Sequence, residues 1–140
     1  MQRRLALLSL LLFLDVFAAV LPIAYAEQNP CGLSSMSETT APVYPVIAFA
    51  AHVQGPVVLL VTFKITGEVE SASVVSGPEM LRANAISYVR GWRANPFTGP
   101  RTCPIVIDFH RQLGNKNLPP FVRLDLQHVI VNSPQMLIQP

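Results

Sequence analysis

An α+β fold is what this sequence predicts, built as a split β-α-β unit with two helices on a three-stranded sheet in the order 2-1-3. Three observations in the 140 residues point there. Val57, Leu59, Val61, Phe63 and Ile65 alternate along one face and run into a Thr66-Gly67 turn, which predicts a hairpin. Leu81, Ala85, Val89 and Trp92 then recur at helical spacing. Ile105, Ile107 and Phe109 alternate once more within "PIVIDFH", as a third strand would. The length suffices for one domain with one modest core, so one fold must carry the function.

Residues 1–26 read as a targeting segment. Arg3-Arg4 make the positive start, Leu5 to Leu14 the apolar stretch, and Ala24-Tyr25-Ala26 a small-x-small cleavage site before Glu27. The competing reading is an uncleaved membrane anchor, because Leu5 to Ala26 is just long enough to span a bilayer. Asp15 and Pro22 weigh against it, since a carboxylate in a lone spanning helix is costly. An exported chain meets an oxidising compartment, so its two cysteines, Cys31 and Cys103, are candidates for one disulfide, with two unpaired thiols as the alternative. "EQNPC" lacks the small apolar residues that mark a lipid-attachment cysteine.

Residues 27–42 are polar and rich in turn formers, and read as a leader outside the domain. Pro45 suits a first helical turn and Val46, Phe49, Ala50 and Val53 recur at helical spacing before Gly55-Pro56, which predicts a helix over about 45–54. The hairpin follows. Its second strand breaks phase, with Val69 odd and Ala72 and Val74 even, so a bulge or a strand covered on both faces is expected. Gly77 can cap a helix over about 79–93, with Pro78 and Glu79 in its first turn. Asn95-Pro96 stops that helix. A right-handed crossover then sets the third strand parallel to the second with the first between them, which leaves the third strand at an edge. The tail, 113–140, contains "FVRLDLQHVIV", where Val122, Leu124, Leu126 and Ile130 alternate with Arg123, Asp125, Gln127 and Val129 as an additional strand would.

The same residues speak against several function classes. The net charge of +2 comes from scattered Lys and Arg, which is not a nucleic-acid footprint. His52, His110 and His128 lie on separate elements without ligand spacing, so no metal or cofactor site is expected. Asp108 and His110 share a strand face, but no Ser or Cys stands in a nucleophile motif, and catalysis and a small-molecule substrate are not expected either. Trp92, at the end of an apolar stripe, reads as core in preference to a recognition aromatic. Tyr44 reads as sealing the first helix, and Tyr44, Phe49, Leu81, Ala85, Val89 and Trp92 form the expected core. Arg90 and Arg93 read as a solvated helix face.

With these elements placed, the chain resembles the C-terminal domain of TonB-like energy transducers from Tyr44 to Phe109. The resemblance is carried by Tyr44-Pro45, by "QGPVVLLVTF" with Gly55 and Val57, and by the "TGEV" turn with Gly67 and Val69. It continues through Val74, Ser76, Gly77, Leu81, Ala85, Trp92 and Pro96. It implies a periplasmic domain over 43–112 that binds an extended segment of outer-membrane TonB-dependent receptors and relays force from an inner-membrane proton-driven complex. Strand addition to an open edge needs no catalytic side chain, and by position that edge is Ile105, Val106, Ile107, Asp108, Phe109 and His110. Two departures bear on the relay: the N-terminus reads as cleavable, and residues 27–42 reach only about 50 Å when fully extended. A stand-alone envelope module without energy transduction is therefore the alternative.

The tail sets up a conflict with that site. An open apolar edge is an aggregation hazard that proteins cover. Phe121 to Val131 is thus expected to pair antiparallel with 105–110, within one chain or exchanged in a homodimer. The alternative is a disordered tail.

Overall fold

The computed structural model describes residues 31–95, 99–113 and 117–134; the expected targeting segment, 1–26, and Pro96 lie outside them. In chain order the elements are β1 (Met36–Glu38), α1 (Val46–Ala50), β2 (Gly55–Phe63), β3 (Val69–Ser76), α2 (Glu79–Arg90), β4 (Trp92–Ala94), β5 (Thr102–His110), β6 (Phe121–Arg123) and β7 (His128–Asn132). No helix among the described residues is long and apolar enough to cross a membrane.

β2 is the middle strand between β3 and β5, and its alternation is why: Val57, Leu59, Val61 and Phe63 are fully buried, whereas Leu60 on the other face stays exposed. β3 and β5 both pair antiparallel with β2. They are therefore parallel to each other across α2, which reproduces the expected 2-1-3 order. The phase break in β3 is real, since the β2–β3 register shifts at Val58/Leu59 and again at Thr62/Phe63. Gly67 and Gly77 both have positive φ, 94° and 128°. A Cβ on Gly67 would lie 1.9 Å from the Ala94 carbonyl oxygen, so the hairpin turn can dock there only as glycine.

α2 lays Leu81, Ala85, Tyr88 and Val89 on the sheet. Its N-cap is Pro78, not Gly77, and its last residue is Arg90, three residues short of the predicted end, with Gly91 as the C-cap. Trp92 therefore belongs to β4, where it is fully buried. α1 is shorter than expected: Pro45 is still extended, Ala51 ends it, and His52 turns the chain at φ 61°. Val46 and Ala50 of the predicted apolar stripe face solvent, whereas Phe49 and Val53 pack partly buried against the core and Ala48 is the buried residue of the helix. Tyr44 seals it, by donating from its hydroxyl to the Val53 carbonyl at 2.6 Å and by packing edge-on against Phe49 and Phe109.

The leader is also part of the domain. β1 pairs antiparallel with β4, Leu33 is buried, and Cys31 is bonded to Cys103 at the start of β5 with a Cα–Cα distance of 5.1 Å. Such a closure over 72 residues is worth about 4 kcal/mol by its effect on the unfolded chain.

Candidate partner-binding edge

The full sheet has five strands in the order β3-β2-β5-β7-β6. The segment predicted to be its edge, Ile105 to His110, lies inside it. Ile105, Ile107 and Phe109 are buried in the core, while Val106, Asp108 and His110 occupy the opposite face. The main-chain groups turned away from β2 are taken by the tail. β7 pairs with β5 from Val106↔His128 to His110↔Asn132, bracketed by hydrogen bonds from Val106 N to Gln127 O at 2.7 Å and from Ser133 N to His110 O at 2.9 Å. One step before this ladder, Pro104 offers no donor and its carbonyl accepts from the Gln127 side-chain amide at 2.9 Å. The outer side of β5 is thus closed from Pro104 to His110.

The tail covers the edge as expected, but its construction differs in two respects. It is two strands and not one, because Asp125 accepts from the Gln127 N–H through its side chain at 2.7 Å and folds 124–127 into a turn. β7 also runs parallel to β5. The loop after His110 carries the chain past one strand position, β6 returns antiparallel to β7, and the hairpin then places its second strand beside β5. β7 takes the inner position because Val129 and Val131 enter the core, both essentially without exposure.

A second contact fixes the tail. Arg123, on β6, makes a partly buried ion pair with Glu38 on β1, its guanidinium lies 4.6 Å from the Trp92 ring centroid, and it donates to the carbonyls of Asp125 and Leu126. One cation thereby joins leader, α2–β4 corner and tail. Tyr88 stands beside this pair. Burial first, then its hydrogen bond to Glu38 and that carboxylate's charge, push the Tyr88 hydroxyl pKa far up against the opposing pull of Arg123.

The other expected residues fall as follows. Tyr44, Leu81, Ala85, Val89 and Trp92 are buried, and Phe49 is partly buried against them. Asp108 and His110 are within 2.9 Å of each other on a partly exposed face. Arg90 is exposed on α2, whereas Arg93 sits on β4 within 3.8 Å of Glu68. Among the described residues no group of three or more His, Cys, Asp or Glu is arranged to hold a metal. Sequence reasoning missed Glu38, Arg123 and Gln127 as the residues that fasten the tail; only Asp125, a turn-forming residue inside an apparent strand, was a readable sign of the break.

A family model described as the C-terminal of Gram-negative bacterial TonB proteins matches residues 40–110, just over half of the chain. The match ends at His110, so β6 and β7 lie beyond it. No curated protein matches the sequence.

Proposed function

Because the chain belongs to the family of the C-terminal domain of Gram-negative bacterial TonB proteins, we propose that it is an exported interaction module that takes an extended segment of an outer-membrane receptor as an added strand on β5. The family is one of periplasmic interaction and transducer domains and not of enzymes. The observation that supports the reading is β7 itself. An extended segment already lies on the outer side of β5, in five consecutive pairs, with alternate apolar side chains inserted into the core.

Energetics decide how a partner could reach that place. Opening β7 without replacement would expose Val129 and Val131, at roughly 1.5–3 kcal/mol each, and would break a ladder worth about 1 kcal/mol per bond. A simple vacancy is therefore too costly to be the binding-competent state. A partner strand that restores the same contacts makes the change close to an exchange, and it competes with a tethered tail whose effective concentration is of millimolar order. On this reading the partner displaces β7 and replaces it.

The test is to measure binding of extended receptor peptides to the protein and to its Val129→Ala variant. The substitution removes about 1.6 kcal/mol of apolar burial from the resident strand, so peptide affinity should rise at least tenfold. Equal affinities, with both proteins folded, would place the peptide elsewhere. The relay of force from a proton-driven inner-membrane complex is the less favoured part. Residues 31–42, which could have served as tether, are held to the domain by the disulfide and by β1, and this supports the stand-alone module as the second reading.

A further inference from the structure

The sheet is protected at one end and bare at the other. Its β6 end is a strand of three residues whose Arg123 is committed to Glu38 and Trp92. At its β3 end, Val69–Ser76, β4 is bridged to the chain just before the strand, at Glu68↔Arg93, and past that bridge no further strand lies beside β3 among the described residues. Lys64 N donates to Glu68 O at 2.7 Å, so the even-numbered residues of β2 turn their main-chain groups to β3. Leu60 stands opposite Ser73 and Thr62 opposite Ser71. It follows from the alternation of an antiparallel ladder that the N–H and C=O groups of Ala72 and Val74 point away from the sheet.

We propose that this edge pairs antiparallel with the same edge of a second copy, about a two-fold axis at Ser73. In that register Ala72 of each copy meets Val74 of the other and both exchange N–H and C=O bonds, which satisfies every outward group of the regular stretch 71–74. The bulges at either end of β3 bracket this stretch without interrupting it. Self-pairing fits the side chains as well. Residues 71–76 read Ser-Ala-Ser-Val-Val-Ser and contain none of the lysines, prolines or inward charges that keep an edge single. The one charge within β3, Glu70, falls opposite Ser76, so no like charges meet along the strand, and two small serines face each other at the axis. Val75, left 63 % exposed in the single chain, is set across from Ser71 of the other copy. A strand pair buries less than the roughly 1,200 Å² of a standard interface, so the association is expected to be weak. It leaves β5 and β7 untouched and does not depend on how receptor segments bind.

Sedimentation equilibrium of the purified protein from low micromolar to millimolar concentration should show a reversible monomer–dimer equilibrium. Ser73→Lys, which sets two ammonium groups face to face, should weaken it at least tenfold without changing the circular dichroism. Opposed Cα atoms at a non-hydrogen-bonded pair lie about 4.5 Å apart, within disulfide range, so Ser73→Cys should form an intermolecular disulfide much faster than Ser87→Cys on exposed α2. A protein that stays monomeric throughout, a dimer indifferent to Ser73→Lys as tail exchange would give, or equal cross-linking of the two cysteine variants would each overturn the proposal.

Discussion

Replacing Arg123 by methionine tests how firmly the tail is fastened to the rest of the domain. The side chains of Arg123 and Glu38 are 24 % and 18 % exposed, so their ion pair falls between the surface and buried cases and is assigned about 1 kcal/mol after screening. The guanidinium over Trp92 adds about 1 kcal/mol or somewhat more, because the ring is fully buried and the cation partly desolvated. The two contacts together come to about 2 kcal/mol. Both the pair with Glu38 and the contact with Trp92 are lost when the β6–β7 hairpin lifts away, whereas the bonds to the Asp125 and Leu126 carbonyls stay within it. Methionine keeps part of the apolar stem against Trp92, which isolates the charge-dependent share. Native-state hydrogen exchange should therefore report opening of the Val129, Ile130 and Val131 amides increased about 30-fold, at one decade per 1.36 kcal/mol. The β2 amides, Val57 to Phe63, should change much less. Glu38→Gln should reproduce part of the effect and add little in the double variant. If β7 and β2 amides changed equally, the tail would open only with global unfolding and the reasoning about a separately fastened hairpin would fail.

Two further outcomes follow from the same contacts. The raised Tyr88 pKa means that the folded state holds this proton more tightly than the unfolded chain, whose tyrosines titrate near 10; the stability it contributes is complete below about pH 10 and is lost as pH rises beyond it. Tyr88→Phe should flatten the fall of the urea midpoint between about pH 9 and pH 11, and an unchanged slope would show that Tyr88 does not drive it. Replacing Cys31 and Cys103 together by serine should lower unfolding stability by about 4 kcal/mol, read from denaturant midpoints at unchanged slope; a loss below about 1 kcal/mol would mean that the unfolded chain is already constrained near that closure.

The parts of the fold legible in the sequence are those encoded over one or two turns of chain. The alternation of β2, the stripe of α2 and the Thr66-Gly67 turn each fall within about a dozen residues, and the structure keeps them. The Cys31–Cys103 pair was legible because there were no other cysteines to choose from. β1 and β4 were not, since three-residue strands carry no period and exist only because the leader finds the Trp92–Ala94 segment across more than fifty positions. Trp92 itself was read correctly as buried but on the wrong element, because Gly91 ends α2 one residue before it. The tail failed differently. Its letters alternate from Val122 to Gln127, yet the Asp125 turn resets the phase, so the buried apolar residues are Val129 and Val131 and not the expected Ile130 set. Parallel pairing lies one level further from the sequence, because it depends on which strand of the β6–β7 hairpin docks against β5. The same distance hid Arg123 and Glu38, which are 85 positions apart.

The most direct test of the account is hydrogen exchange on the protein with and without an excess of the synthetic peptide LQHVIVNS, the sequence of its own residues 126–133. If β7 occupies the place that a partner strand takes, the peptide will replace it: amides of Val129, Ile130 and Val131 in the protein will lose protection while Val106, Asp108 and His110 on β5 keep theirs. Binding of the peptide with β7 protection unchanged would contradict the claim that this side of β5 is where an extended segment is accepted.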